Sequence, residues 1–135
     1  MTNSVGKRWG IMAADYAYGQ DYAKHLRQLV PAYGGKIVAE AFPALGTTDF
    51  VSHLQRASSG DPDVLWMVEY GRDATVALNQ AVSMGLKKKM ALGLSVANTE
   101  QVIGMQPGVF EGTYSFVIWY PNWATPESRA FVKSY

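Results

Sequence analysis

The stretch that decides the fold is "RWGIMAADYAYGQDYAKHLRQLVPAYGG", residues 8–35. Its first seven residues, Arg8 to Ala14, read as a buried strand. From about Gly19 to Tyr33 the period changes, and Tyr22, Leu26, Leu29, Val30 and Tyr33 recur at helical spacing as one apolar stripe. The Gly34–Gly35 pair is a natural helix stop. A strand that runs straight into an amphipathic helix is half of a βαβ unit, and the same alternation continues downstream.

"KIVAEAF" (36–42) reads as the second strand, and "PALGTT" leads into a helix from Asp49. Thr47 or Thr48 would cap that helix, with Phe50, Leu54 and Ala57 on its buried side. After the "SGDPD" turn (59–63), "VLWMV" (64–68) is apolar throughout, as a strand covered on both faces should be. The next helix places Ala74, Ala77, Leu78, Ala81 and Val82 on one face and ends at Gly85. "KKMALGLS" (88–95) is a fourth strand, "NTEQVIGM" (98–105) a short helix starting at Asn98, and "GTYSFVIWY" (112–120) a fifth strand. Five such units predict an α/β fold: a three-layer, open, parallel sheet of about five strands, ordered 2-1-3-4-5.

Bulk properties narrow the function. At 135 residues the chain suits one lobe spanning 1–135. It is 48% hydrophobic and 17% charged, an ordinary globular composition. A formal charge of +1 supplies no basic surplus for a phosphate backbone, so nucleic acid is not an expected partner. Without cysteine there is no disulfide, thiolate metal site or cysteine nucleophile. The start, "MTNSVGKRWG", has no apolar core of signal-peptide length, and no later run could span a bilayer. "TPESRAFVKSY" begins like a helix, with Thr125 as cap, Pro126 at its first position and Glu127 in its first turn. It stops about two turns later without a capping glycine, which reads as a piece of a longer protein.

Open α/β sheets bind ligands outside the carboxyl ends of their strands. Asp15, Tyr16 and Tyr18 stand there after strand one, and Gly46, Thr47 and Thr48 after strand two. Glu69, Tyr70, Gly71 and Arg72 follow strand three, Ser95 follows strand four, and Trp119, Tyr120 and Trp123 follow strand five. Rings with one polar handle suit recognition of a small ligand.

Catalytic readings fit less well. "DYAYGQ" has one glycine and bulky rings where a dinucleotide fold needs a phosphate cradle. Asp15 and Glu69 could imitate the acids of a phospho-receiver domain, but the fifth strand ends "IWYP" without its lysine. "GLS" (93–95) is not a nucleophile elbow, and His25 and His53 fall inside predicted helices. No catalytic residue, metal or cofactor is expected.

"ADYAYGQDYA", "GGKIVAEAFPALGTTDFVSHLQ", "DPDVLWMVEYGRDATVALNQAVSMGLK" and "FVIWYP…TPESRAFVKSY" together resemble the second lobe of type I periplasmic solute-binding proteins. The resemblance is to the branched-chain amino-acid receptor type that feeds ABC importers, and it covers nearly the whole chain. It implies two α/β lobes closing on a solute, a permease partner, and a periplasmic or extracellular location. An isolated lobe would expose half a cleft and invite dimers. Tyr18 matches the cleft tyrosine of the family's "YG" motif, and Tyr70 in "EYG" a second one. Gly71, Ser95, Tyr16 and Trp119 complete the implied ligand-binding set.

The sequence departs from the family where amino-acid binders carry a glutamate for the ligand ammonium, since Leu94 aligns there, followed by Ser95. A solute without an α-amino group, such as an aromatic or organic acid or an amide, therefore becomes as plausible as a small amino acid. "GTTDF" (46–50) reads as the start of the second helix, with Thr48 or Asp49 satisfying its free amides. The ligand-sensing domain of a signalling receptor, and less well a receiver-like or hydrolytic enzyme, remain as alternatives.

Overall fold

The computed structural model describes residues 4–116 and 123–134. In chain order the elements are β1 (Arg8–Ala13), α1 (Ala17–Ala32), β2 (Lys36–Ala41), α2 (Val51–Ser58), β3 (Val64–Val68) and α3 (Gly71–Ser83). A 3₁₀ turn (Leu86–Lys88), β4 (Ala91–Leu94), α4 (Thr99–Ile103), β5 (Tyr114–Ser115) and α5 (Pro126–Ser134) follow. The five strands form one sheet in the order β2-β1-β3-β4-β5, every neighbour parallel, as the sequence predicts. Among the described residues no helix is long and apolar enough to cross a membrane.

Period-2 alternation divides the core into two layers. Met12, Leu65, Met67, Leu92 and Leu94 pack against Phe50, Leu54 and Ala57 before and within α2, and against Ala74, Ala77, Leu78 and Ala81 of α3. Trp9, Ile11, Ala13, Val64, Trp66 and Val68 face α1 through Ala23 and Val30, with Tyr18, Tyr22 and Leu26 beside them. Each large apolar side chain fully buried in this way contributes roughly 1.5–3 kcal/mol. All five residues of β3 are buried, as expected of a central strand. Its amino end is pinned to β1 by Asp63, which accepts the Lys7 and Arg8 amides at 2.8 and 2.9 Å. Those two backbone bonds hold its carboxyl below the usual carboxylate range.

The structure corrects several local expectations. The buried side of α1 is Gly19, Ala23 and Val30, while Leu29 and Tyr33 are exposed. Thr47 and Thr48 do not cap α2, which starts two residues later than expected. The Thr47 hydroxyl instead donates to the Ala44 carbonyl, and the Phe50 amide is taken by Gln80 Oε1 from α3 at 2.6 Å. Asp49 does satisfy a free amide, that of Val51, at 3.0 Å. Lys88 belongs to the 3₁₀ turn, and β4 starts at Ala91, three residues later than expected. Thr125 Oγ1 accepts the Ser128 amide, the cap predicted for it, and Asn98 Oδ1 accepts the Gln101 amide just ahead of α4, which starts at Thr99. The part of the expected fifth strand at 117–120 lies outside the described residues.

Candidate functional site

The site is built where β1, β3 and β4 end. As β1 leaves the sheet, Ala14 still donates to Val68 of β3 at 3.2 Å, and the Asp15 amide donates to the Pro43 carbonyl at 2.7 Å. Tyr16 then stands extended at the N-cap of α1. A β-carbon on Gly19 would lie 2.0 Å from the Ala14 carbonyl oxygen, so only glycine lets the first turn of α1 press against the strand end. That close approach fixes where Tyr18, one residue earlier, can point.

Tyr18 reaches across to the end of β4, where its hydroxyl donates to Ser95 Oγ at 3.0 Å. Ser95 is itself buried and held by its amide, which donates to the Met67 carbonyl at 2.9 Å. The Tyr18 ring packs between Tyr16, 6.0 Å away and tilted by 33°, and Tyr22, 6.0 Å away and edge-on. Tyr18 is half-buried and Tyr16 more open, so the pair offers an inner ring and a rim ring.

Tyr70 caps α3 in an extended conformation and is 59% exposed. Gly71 follows with φ +57°, a left-handed turn that a β-carbon would strain. Its carbonyl accepts Gln101 Nε2 from α4 at 3.0 Å, tying the start of α3 to α4. A shallow cavity of about 360 Å³ lies here, lined by Tyr70, Gly71, Arg72, Thr75, Asn98 and Gln101 among others. A larger groove of about 760 Å³ starts at Ala17 and Tyr18, just past the end of β1, and runs along the flank of α1 past Tyr22, His25, Leu26 and Leu29. Among the described residues Tyr70 makes no ring contact with Tyr16 or Tyr18. The candidates thus fall into a Tyr16–Tyr18–Ser95 group and a Tyr70–Gly71 group. Trp119 and Tyr120 lie outside the described residues; Trp123 is exposed.

Two further residues change the electrostatics of this edge. Glu69, the first residue after β3, is 1% exposed, and its Oε1 has no hydrogen-bond partner. Burial, with the Asp73 carboxylate adding to it, pushes its carboxyl up to about 8. Asp73, in the first turn of α3, accepts the Gly46 amide at 2.8 Å, joining the β2–α2 loop to α3. The Tyr16 phenol is raised by burial, then by Tyr18, Glu69 and Asp73. From sequence Glu69 stood only as an imitation metal acid. Its place directly after an all-apolar strand was the signal that it would be buried.

The other acid and the histidines take structural positions. Asp15 accepts Gln20 Nε2 at 2.7 Å as a turn residue. Nδ1 of His25 lies 2.8 Å from the Asp21 carbonyl oxygen on exposed α1, and His53 sits within α2. Among the described residues no three His, Cys, Asp or Glu side chains could hold a metal ion together. Leu94 is fully buried in the α2–α3 layer, so the polar group at the end of β4 is Ser95.

Comparison with known proteins agrees with this architecture. No curated protein matches the sequence. An ABC transporter substrate-binding protein from Sphaerobacter thermophilus superposes with a TM-score of 0.86 at 30% identity, over 98% of this chain and 37% of that one. A periplasmic binding protein from Burkholderia mallei gives 0.87 at 28% identity, over 98% and 35%. A branched chain amino acid ABC transporter periplasmic ligand-binding protein from Burkholderia xenovorans gives 0.83 at 27%, over 94% and 34%. The chain therefore spans little more than a third of the length of these relatives. The family model described as periplasmic binding protein matches residues 1–135 from end to end, and the chain belongs to that family.

Proposed function

We propose that residues 1–135 form one lobe of a two-lobed periplasmic receptor that captures a small solute in the cleft between its lobes. The observation that carries this reading is the Tyr18–Ser95 hydrogen bond, which locks an aromatic ring across the ends of β1 and β4. Tyr16 and Tyr70 stand exposed at the same edge. Strand ends carrying rings and single polar handles are built to bind, and nothing in their arrangement supplies a nucleophile beside a base. The ABC transporter names carried by the relatives support transport as the purpose, and one of them names branched-chain amino acids. The aromatic or organic acid alternative rests on Leu94 standing where amino-acid binders carry a glutamate.

The mechanism is capture rather than chemistry. A solute that contacts both lobes favours the closed form, and a membrane permease reads that form. Tyr18, Ser95, Tyr70 and Gly71 are this lobe's contact groups, Tyr16 is its rim, and Trp119 is a contact from the strand-five side. Taken alone, the lobe leaves its rings uncovered and tends to pair with another copy. A thermal-shift screen of the two-lobed receptor against amino acids, aromatic acids, amides and polyols tests the reading. Stabilisation by one chemical class, growing with concentration, supports it; a flat response across all classes refutes it.

A further inference from the structure

The Tyr16–Tyr18–Ser95 group and the Tyr70–Gly71 group stand apart, yet one stretch of chain is bonded to both. Ser95, at the end of β4, accepts the Tyr18 hydroxyl. Gln101, on the α4 that follows, donates from Nε2 to the Gly71 carbonyl at 3.0 Å. That stretch is itself held firmly. Ala97 and Met105 are buried in the α2–α3 layer, Val102 packs against it, and Asn98 Oδ1 accepts the Gln101 amide at 2.7 Å.

The Tyr70–Gly71 turn depends on such a tie. Gly71 has φ +57°, and a β-carbon there would meet nothing within 4 Å, so no neighbour wedges the glycine into this shape. Tyr70 is extended and exposed and makes no side-chain bond to its own helix, so the course of the backbone sets where its ring stands. Thr75 Oγ1 also donates to the Gly71 carbonyl, at 3.3 Å, but Thr75 belongs to α3 and moves with it. Among the described residues the bond from another element is that of Gln101. It is kept at a cost, because Gln101 Oε1 is buried without a hydrogen-bond partner, and an unpaired buried acceptor is unfavourable. We infer that Gln101 is a positioning residue of the solute site. Its amide fixes the Tyr70–Gly71 turn, and the segment carrying Ser95 and Gln101 sets the spacing of the two ring groups. Gln101 touches no solute; it acts through Tyr70 and Gly71.

This inference rests on the solute-binding reading, and two measurements on the two-lobed receptor separate them. Gln101→Met keeps the length of the side chain and removes the donor; Gln101→Glu, a second variant should the first misfold, puts an acceptor in its place. Without solute, both should speed amide exchange over the opening turns of α3. The urea midpoint should change little, since the orphan Oε1 of the methionine variant goes with its amide. The receptor is then titrated with leucine, benzoate and benzamide. If the ordered turn falls to roughly a tenth to a fifth of the population, whichever probe binds should weaken roughly 5- to 10-fold. In a Tyr70→Ala background Gln101→Met should cost under roughly 2-fold, because the ring it positions is gone. Unchanged exchange and affinity in both variants overturn the inference and leave the receptor reading intact. An affinity loss that persists in the Tyr70→Ala background, with a lower urea midpoint, also overturns it, since Gln101 then supports the fold at large. Binding of none of the three probes counts against the receptor reading, while faster exchange in the variants still supports the tie and unchanged exchange still overturns it.

Discussion

Replacing Glu69 by glutamine keeps the shape of a buried side chain and removes its proton equilibrium. In the unfolded chain a glutamate titrates near 4.5, and in the folded lobe Glu69 titrates at about 8. Between those values the folded form holds a proton that the unfolded form has given up. The stabilisation is therefore complete below about pH 4.5, declines as pH rises, and is gone above about 8. Each unit of difference is worth about 1.4 kcal/mol, so the whole window spans about 5 kcal/mol, more than half of it lost by pH 7. That is a large share of a small domain's stability. Urea denaturation of the lobe at pH 5, 7 and 9 measures the slope. Wild type should lose stability across this range, and Glu69→Gln should flatten the profile and be the more stable protein at pH 9. Parallel profiles for the two proteins would show that Glu69 is not buried as a neutral acid.

Other perturbations follow from single contacts. Tyr18→Phe removes the donor to buried Ser95 and should cost about 1–2 kcal/mol in chemical denaturation, while Ser95→Ala in the Tyr18→Phe background should cost little more. Gly19→Ala brings a β-carbon against the Ala14 carbonyl, so α1 must shift; stability should fall by about 1–3 kcal/mol, read as a lower Tm. Asn98→Ala removes the cap of α4 and should cost about 1 kcal/mol in urea denaturation.

Sheet order and core were readable in the sequence because each rests on periodicity over many residues. "VLWMV" could only be a strand covered on both faces, and Phe50, Leu54 and Ala57 are all fully buried as their spacing predicts. Local detail followed tertiary competition instead. Gln80, thirty residues away on α3, takes the Phe50 amide, and α2 starts later than its threonines suggest. Leu29 and Tyr33 match the helical stripe of α1 in sequence, yet they lie beyond the face the sheet covers. The edge where a ligand would bind was legible as a row of strand ends. The Tyr18–Ser95 bond, between residues 77 apart, was not, because pairing across strand ends depends on the turn at Gly19. Nor was the pairing of Glu69 with Asp73, which needs the first turn of α3 folded back over β3.

The measurement closest to the central claim is titration calorimetry of the two-lobed receptor carrying Tyr18→Ala or Tyr70→Ala, using the solute that stabilises it best. Truncating a contact ring should weaken binding by about 1–3 kcal/mol, roughly 5- to 150-fold, in each variant. Unchanged affinity in both, with the fold intact, would contradict the assignment of this edge as the solute site.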